Sequence, residues 1–563
     1  MRIEATGDDM AEKFVSHPLI RPNTMQARLY QEAILGEAVK KHVLVVLPTA
    51  LGKTNIAVML AAHRLREFPG SKVLVMSPTR PLTGQHLRTF RKFMNLPEED
   101  FQLLTGMVSP KQRERLYKEK KMIFATPQTV QKDLESGRLS LRGFSLLVTD
   151  EAHHSVGAYS YPFIAKKYLE QAEHPRILGL TASPGGTRDK IREICRNLGI
   201  EAVEIRTEQD YDVTPYVKEK EVEWVYVDLP ESFTRIRLLL EAAYRKRLES
   251  LRKTGYIRGT YASKKQLLML QQGLMKSIRQ GYKKAFGAMS YTVQAIKIEH
   301  ALGLLETQGV HILEKYWQKL RKEETNTAKR LLASKEVSAA MLLTQELVFS
   351  GSSHPKMAKL CSIVGQQLAV KPDSKVIIFA NYRETVKQIA ISLERMGSAS
   401  ADGGHAAVKP VMLVGQKEGL SQKEQMEVIR RYNEGEYNCL VTTSIGEEGL
   451  DIPAMDLAIF YESVPSEIRS IQRRGRVGRQ KVGRVIVLIT RNTRDEAYRW
   501  SAYHKERRMH RTLYEMKGRQ GRAGEAGDDR GGEAEAMEEH SDEAGESEGQ
   551  ASGDEEQKTL GDF

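Results

Sequence analysis

From about residue 15 to 205, short apolar runs alternate with stretches of helical periodicity: HVLVVLP, AVMLAAHRL and KVLVMSP, then MIFATP, FSLLVTD and ILGLTAS. Apolar runs this short, ending in Ser, Thr, Pro or Asp, predict parallel strands buried on both faces, with polar residues emerging at their carboxyl ends. Such a sheet carries its chemistry along one edge. A second series, KVIIFAN, KPVMLVG, YNCLVTTS, LAIFYES and GRVIVLIT, predicts a second α/β domain over 352–512, built alike from a different sequence. Between them, residues 232–350 hold almost no strand signal and long helical stretches such as RIRLLLEAAYRKRLESLRK, which predicts a helical insert joined to the first domain by a linker at 206–231. In the last stretch, residues 519–556 contain no Phe, Tyr, Trp or β-branched residue. So little apolar surface cannot offset the entropy of ordering, and a disordered acidic tail is expected over 518–563.

Length agrees with several modules, since 563 residues exceed what one core can organise. Charge changes the picture more. Residues 525–563 carry 15 acidic and 2 basic side chains, so the formal +13 of the whole chain leaves +26 on the rest. A body this basic suits a polyanion such as nucleic acid, against the plainer reading of a soluble charged surface. The insert alone holds 22 Lys and Arg against 9 Glu. It reads either as helices with solvated basic faces or as a nucleic-acid clamp. Cys195, Cys361 and Cys439 are far apart with no C-x-x-C spacing, which supports neither a zinc site nor a disulfide framework and points to a reducing, intracellular setting. The sequence offers no apolar stretch of membrane-spanning length and no signal-peptide core, so a soluble cytoplasmic protein is expected.

The candidate chemistry begins at LPTALGKT, residues 47–54, which follows a strand and precedes a helix, the setting of a phosphate-binding loop. In it Leu47, Pro48, Thr49, Ala50, Leu51 and Gly52 form the cradle, Lys53 reaches the β- and γ-phosphates, and Thr54 ligates Mg²⁺. Ala50 stands where glycine is common; its cost is small unless it must take a positive φ. FSLLVTDEAHH then presents Asp150 and Glu151 at a strand end. Asp150 is placed to hold Mg²⁺ through water, and Glu151 to orient and deprotonate the attacking water. Alone, such a pair is a solvated loop or helix cap; about 100 residues beyond a phosphate loop it reads as catalytic. In QRRGRVGR, Arg476 and Arg479 share a helix face and can serve as arginine fingers from the second domain.

The ordered set RLYQ, LPTALGKT, SPTRPLTGQH, ATPQT, DEAHH, TASP, IFANYR, TTSIGEEGLDIP and QRRGRVGR resembles the motif series of superfamily 2 helicases. The long stretch from GQKEGLSQ to RRGRVGR resembles the archaeal Hef helicase module and its Fanconi anaemia M-type relatives. The resemblance covers about residues 15–510. It implies two RecA-like parallel-sheet domains flanking an α-helical insert, driven by ATP and Mg²⁺. It further implies that Arg28 and Gln31 recognise adenine, and that Thr181 and Ser183 couple hydrolysis to domain movement. Thr79, Arg80, Gln85, Thr105, Gly106, Thr126 and Gln128 would touch the tracking strand from the first domain, and Arg383, Gly415, Thr442 and Thr443 from the second. Gly449 and Asp451 would link that strand to the ATP site, and Gln472 belongs to the catalytic arginine motif. The implied activity is that of a helicase remodelling stalled forks and Holliday junctions in repair and replication restart, associated with the nucleoid. The sequence departs from full-length relatives in showing no nuclease segment, so incision would need a separate structure-specific nuclease.

The final QKTLGDF places Gln557, Leu560 and Phe563 at the Q-x-x-L-x-x-F spacing of peptides that bind a sliding clamp (PCNA), although the second terminal aromatic common in such ligands is absent. The acidic tract before it reads as a solubilising spacer or as a polyanion mimic. Two rival functions stand beside the leading one: a RIG-I-like double-stranded RNA translocase, and a non-catalytic adaptor bridging branched DNA to the clamp.

Overall fold

The computed structural model describes residues 14–49, 51–217, 221–400, 408–415, 421–443, 455–462 and 483–525. The first apolar series forms five strands of a seven-stranded parallel sheet, β1 (Val43–Val46), β2 (Lys72–Met76), β4 (Met122–Ala125), β5 (Phe144–Asp150) and β6 (Ile177–Thr181), to which the structure adds two edge strands, β3 (Phe101–Leu104) and β7 (Ala202–Ile205). Their order is β3-β4-β2-β5-β6-β1-β7. Alternate residues enter opposite cores, as strand geometry requires: Val43, Val45, Val73 and Val75 on one face, Leu44, Val46, Leu74 and Met76 on the other. Helices cover both faces. Register aligns the carboxyl ends, with Val46 opposite Thr181 and Asp150 opposite Leu180. The loops after β2, β5, β6 and β1 therefore open side by side.

The second sheet comprises β8 (Glu221–Val227), β9 (Val376–Phe379), β10 (Pro410–Leu413), β11 (Cys439–Thr442), β12 (Leu457–Phe460) and β13 (Arg484–Thr490), in the order β10-β11-β9-β12-β13-β8. Here the structure corrects the expected linker at 206–231. Glu221–Val227 pair in parallel along the whole of β13 and form the edge of the second sheet, before the chain enters the insert. An edge strand needs only partial burial. Trp224 stays 40% exposed under the guanidinium of Arg499, which lies 4.4 Å from its ring centroid.

The insert is helical throughout. Its helix Glu231–Lys253 buries Phe233, Ile236 and Leu240 against Ile298, Leu302 and Leu305 of the helix Ala285–Thr307, with Trp317 closing the core. Two buried hydrogen bonds fasten it to the second domain: Gln308 Nε2 donates to Glu462 Oε1 at 2.7 Å, and Thr385 Oγ1 donates to Gln308 Oε1 at 2.5 Å.

After β13 comes one helix, Arg494–Glu525. It continues past residue 518, where disorder was expected, through Glu525. Its start is bound to the insert, where the Arg494 guanidinium holds Glu299 (2.7 and 2.8 Å) and Glu306 (2.8 Å). Asp495 pairs with Lys356 beside it, both side chains fully buried. Further along, Met509 and Leu513 enter the core on one face of the first sheet. One helix thus touches all three modules. Among the described residues, no helix is long and apolar enough to cross a membrane, and the three cysteines are free.

Candidate active site

The loop after β1 turns into the helix Lys53–Glu67, whose preceding residue, Gly52, sits at φ 72°, ψ 40°. The left-handed angle favours glycine, and a Cβ there would lie 2.6 Å from Gln31 Nε2. Gln31 Nε2 donates to Leu51 O at 3.1 Å, and Tyr30 OH to the same carbonyl at 2.7 Å. The Arg28 guanidinium lies 4.9 Å from the Tyr216 ring centroid and donates to Tyr30 OH at 3.2 Å. RLYQ and the phosphate loop are therefore one construction. Gln31 Oε1 is buried without a hydrogen-bond partner, an unused acceptor suited to the amino group of a base. Lys53 Nζ donates to Leu47 O at 3.0 Å, so the ammonium lies along the loop ahead of the helix that also carries Thr54. Pro48 and Thr49 continue this loop; Ala50 lies outside the described residues.

At the end of β5, Asp150 Oδ2 lies 2.7 Å from His86 Nε2, and the Asp150 carbonyl accepts from Tyr161 OH at 2.7 Å. Glu151 takes φ 49°, ψ 51°, a left-handed conformation rare outside glycine and asparagine. Such strain persists where surroundings enforce it. Burial opposes ionisation of Glu151, but the hydrogen bond and charge of His153, aided by Lys53 and His154, outweigh it and hold the carboxyl well below the ordinary range. Its oxygen lies 3.3 Å from His153 Nδ1. The same nitrogen is 3.2 Å from Thr181 Oγ1, which accepts from Ser183 N at 3.2 Å. Ser183 Oγ in turn meets Met509 Sδ at 3.1 Å. Glu151 is thus wired through TASP to the long C-terminal helix. Sequence reasoning assigned no role to His86, His153, Tyr161 or Met509, although the two histidines lie within the motifs SPTRPLTGQH and DEAHH.

The residues expected to face a nucleic-acid strand lie beyond the carboxyl ends of the two sheets. Thr79 and Arg80 open the helix Arg80–Phe93, which carries Gln85. Thr105 is buried and Gly106 exposed after β3. Thr126 Oγ1 lies 2.9 Å from Thr129 Oγ1, and between the two an exposed Gln128 reaches solvent in the first turn of the helix Pro127–Glu135. In the second domain Arg383 begins the helix Arg383–Ser400, and Gly415 is half-buried after β10. Thr442 Oγ1 is turned inward, donating to Leu413 O at 3.0 Å, beside a nearly buried Thr443. Gly449, Asp451, Gln472, Arg476 and Arg479, and the terminal Gln557, Leu560 and Phe563, lie outside the described residues.

Residues 24–191 match the DEAD/DEAH box helicase model, residues 355–481 the helicase conserved C-terminal domain, and residues 232–347 the helical bundle of a provisionally named ATP-dependent RNA helicase. The two sheets and the loop-and-carboxylate site define a module of the ATP-dependent helicase class. The crystal structure of the Pyrococcus furiosus Hef helicase domain matches with TM-score 0.67 at 45% identity, covering 86% of this chain and 100% of that one. The chain belongs to the Hef and Fanconi anaemia M-type superfamily 2 helicases. MJ1505 of Methanocaldococcus jannaschii, provisionally named an ATP-dependent RNA helicase, is 42% identical over 508 residues, covering 89% of this chain and 63% of that protein. The DEAD-box ATP-dependent RNA helicase FANCM of Arabidopsis thaliana is 33% identical over 84% of this chain, but that region is 35% of the plant protein. The ATP-dependent DNA helicase fml1 of Schizosaccharomyces pombe is 32% identical, covering 84% of this chain and 58% of its own length. The chain therefore spans roughly one to two thirds of these three relatives.

Proposed function

We propose that the protein is a DNA-dependent ATPase that moves along and remodels branched DNA, such as stalled forks and Holliday junctions. The observation that carries this reading is the bonded path from Glu151 through His153 and Thr181 to Ser183, which ties the carboxylate that would meet the attacking water to the motif that would move domains. A passive binder has no use for it. Lys53 and the first turn of its helix would hold the β- and γ-phosphates, Gln31 and Arg28 the adenine, and Thr54 and Asp150 a Mg²⁺ ion. The unused Gln31 Oε1 and the oxygen donors Thr54 and Asp150 fit these groups. When bound, the ion would neutralise phosphate charge. Glu151, held ionised by His153 and Lys53, would orient the attacking water and take its proton. Gln472, Arg476 and Arg479, with Gly449 and Asp451, would complete the site from the second domain.

A preference for DNA rests on the printed name of fml1 and of other relatives called DNA helicases. Branch recognition rests on the far end of the insert. There Arg258, Lys265, Lys276, Arg279, Lys283 and Lys284 are all exposed, and Tyr261, Tyr282 and Phe286 are 82%, 65% and 61% exposed among them. Guanidinium and ammonium groups would take phosphates while the rings cover unpaired bases. The remaining assignments complete the proposal: a sliding clamp bound through Gln557, Leu560 and Phe563, a separate nuclease, and a place on the nucleoid.

Phosphate release with forked DNA, plain duplex and duplex RNA tests the reading, alongside Lys53→Ala and Glu151→Gln. Forked DNA should stimulate the wild type most and neither variant. Stimulation by RNA alone would establish the RNA translocase instead, and equal, near-zero turnover in all three proteins the adaptor. Calorimetry with the clamp, before and after deleting the last seven residues, should show binding lost on deletion; unchanged affinity would remove the clamp from the scheme.

A further inference from the structure

Asp150 is held from the helix that carries two of the strand-facing residues. His86 Nε2 lies 2.7 Å from Asp150 Oδ2, with the two side chains 7% and 8% exposed. An ionised carboxylate only accepts, so Nε2 carries the proton. The other ring nitrogen, Nδ1, is buried with no partner. A leucine or phenylalanine would fill this place without that desolvation cost, so packing alone does not account for a histidine here.

The helix Arg80–Phe93 turns Thr83, His86 and Phe90 inward, while Gln85, next to His86, stays half-exposed. Its first turn is tightened by Thr83 Oγ1, which donates to Thr79 O at 2.9 Å. Tyr161 OH donates to Asp150 O at 2.7 Å and also approaches Met76 O at 3.4 Å, so the main chain at Asp150 is pinned to the end of β2, from which this helix departs. With the backbone fixed, the carboxylate is the part of Asp150 left to respond to the helix. Glu151 takes a different route, through His153 and Thr181. The two neighbouring carboxylates thus report to different parts of the molecule.

We propose that His86 is a positioning residue through which the strand grip of Arg80 and Gln85 sets the orientation of the Asp150 carboxylate, and with it the readiness of the nucleotide site. The inference rests on the functional reading above. Nucleic acid seated on the helix would hold His86 against Asp150; the same bond would let Mg²⁺-nucleotide, once bound, favour the helix position that grips the strand. Linkage makes the two effects equal.

The test is binding, not turnover: the affinity of a fluorescent non-hydrolysable ATP analogue with Mg²⁺, measured on the full chain with and without forked DNA. In the wild type DNA should tighten the analogue several-fold. His86→Leu, which keeps bulk without a donor, should reduce that factor to about one, while DNA affinity without nucleotide and the melting temperature stay at wild-type values. His86→Gln places an amide N–H near the position of Nε2 and should restore the factor; His86→Asn, whose amide falls short of Asp150, should not. This second pair keeps the test decisive if the leucine variant folds poorly. A wild-type factor retained in His86→Leu, or Asn performing as well as Gln, would overturn the inference alone. A wild type whose analogue affinity ignores DNA would overturn the inference as well; the functional reading falls only if forked DNA also leaves phosphate release unchanged.

Discussion

Gly52 shows how one position joins two motifs. Its φ of 72° and the 2.6 Å separation that a Cβ would have from Gln31 Nε2 mean that any side chain there must displace the residue expected to read adenine. Gly52→Ala should therefore weaken nucleotide binding, by about 1–3 kcal/mol from backbone strain and displacement, with little change in overall unfolding. Calorimetry with a non-hydrolysable analogue checks it. Glu151 makes the complementary case. Glu151→Gln keeps the shape and removes the charge, so turnover should fall by roughly 10²–10⁴-fold while analogue binding persists. Much of the candidate site was legible, because Lys53 and Thr54 open a helix one loop beyond a strand and Asp150 and Glu151 follow another strand, places where their chemistry has few other uses. Their supports were not. His153 and His86 owe their importance to a partner many residues distant, Thr181 for one and Asp150 for the other, and no local pattern encodes that.

Among strands and helices, legibility followed burial. Five strands of the first sheet announced themselves as apolar runs; the edge strands Phe101–Leu104 and Ala202–Ile205, half-buried and partly polar, did not. Glu221–Val227 likewise reads EVEWVYV, with two glutamates, because an edge strand partly open to solvent has no need of a continuous apolar run. Its partner β13 lies across the whole insert, so no neighbouring strand signal flagged it. The helix Arg494–Glu525 escaped in part for a related reason: its buried apolar residues, among them Met509 and Leu513, are widely spaced, and these two dock on a distant module. Replacing Leu513 with Asp would place a carboxylate in that core, costing on the order of 3 kcal/mol. Hydrogen exchange should then quicken in the second half of this helix and leave its Arg494 end protected.

A helix cap supplies the pH prediction. His354 Nδ1 accepts from Lys356 N at 3.2 Å, capping the helix Pro355–Val370, while Nε2 donates to Glu306 O at 3.0 Å. The ring is therefore neutral. Burial, then the nearby Lys356 charge, lower its pKa from 6.5 to about 3, with the bond to Glu306 opposing them. The unfolded chain thus binds a proton that the folded chain refuses between about pH 6.5 and 3. Stability from this group is complete above about 6.5 and falls as pH drops toward 3, by on the order of 1 kcal/mol per pH unit. Urea unfolding at pH 7 and pH 5 should show the loss. His354→Asn can cap without titrating and should flatten it.

Taken together, the three modules divide the labour unevenly. The insert is bound to the second domain through Gln308, Glu462 and Arg494, so its basic far end travels with that domain. Exchanging Lys283 and Lys284 for Gln should lower affinity for forks and plain duplex alike. It should also reduce the slope of log affinity against log salt by about 0.9 for each phosphate no longer neutralised. An unchanged slope would assign these lysines to solvent alone. The charge itself was visible in the sequence; the direction in which it projects depended on packing that only the folded chain provides.

The route of the chain also bears on how it is born. The edge strand Glu221–Val227 leaves the ribosome before the insert and before every other strand of its sheet, and its partner, Arg484–Thr490, is the last of those strands to be made. At the usual pace of synthesis this segment waits some tens of seconds with its backbone unclaimed. A gene fragment starting at residue 352 would create the mirror problem, a sheet with its outer rail missing. Soluble expression of the second lobe should therefore require residues 221–227, supplied in the same chain or as a separate peptide.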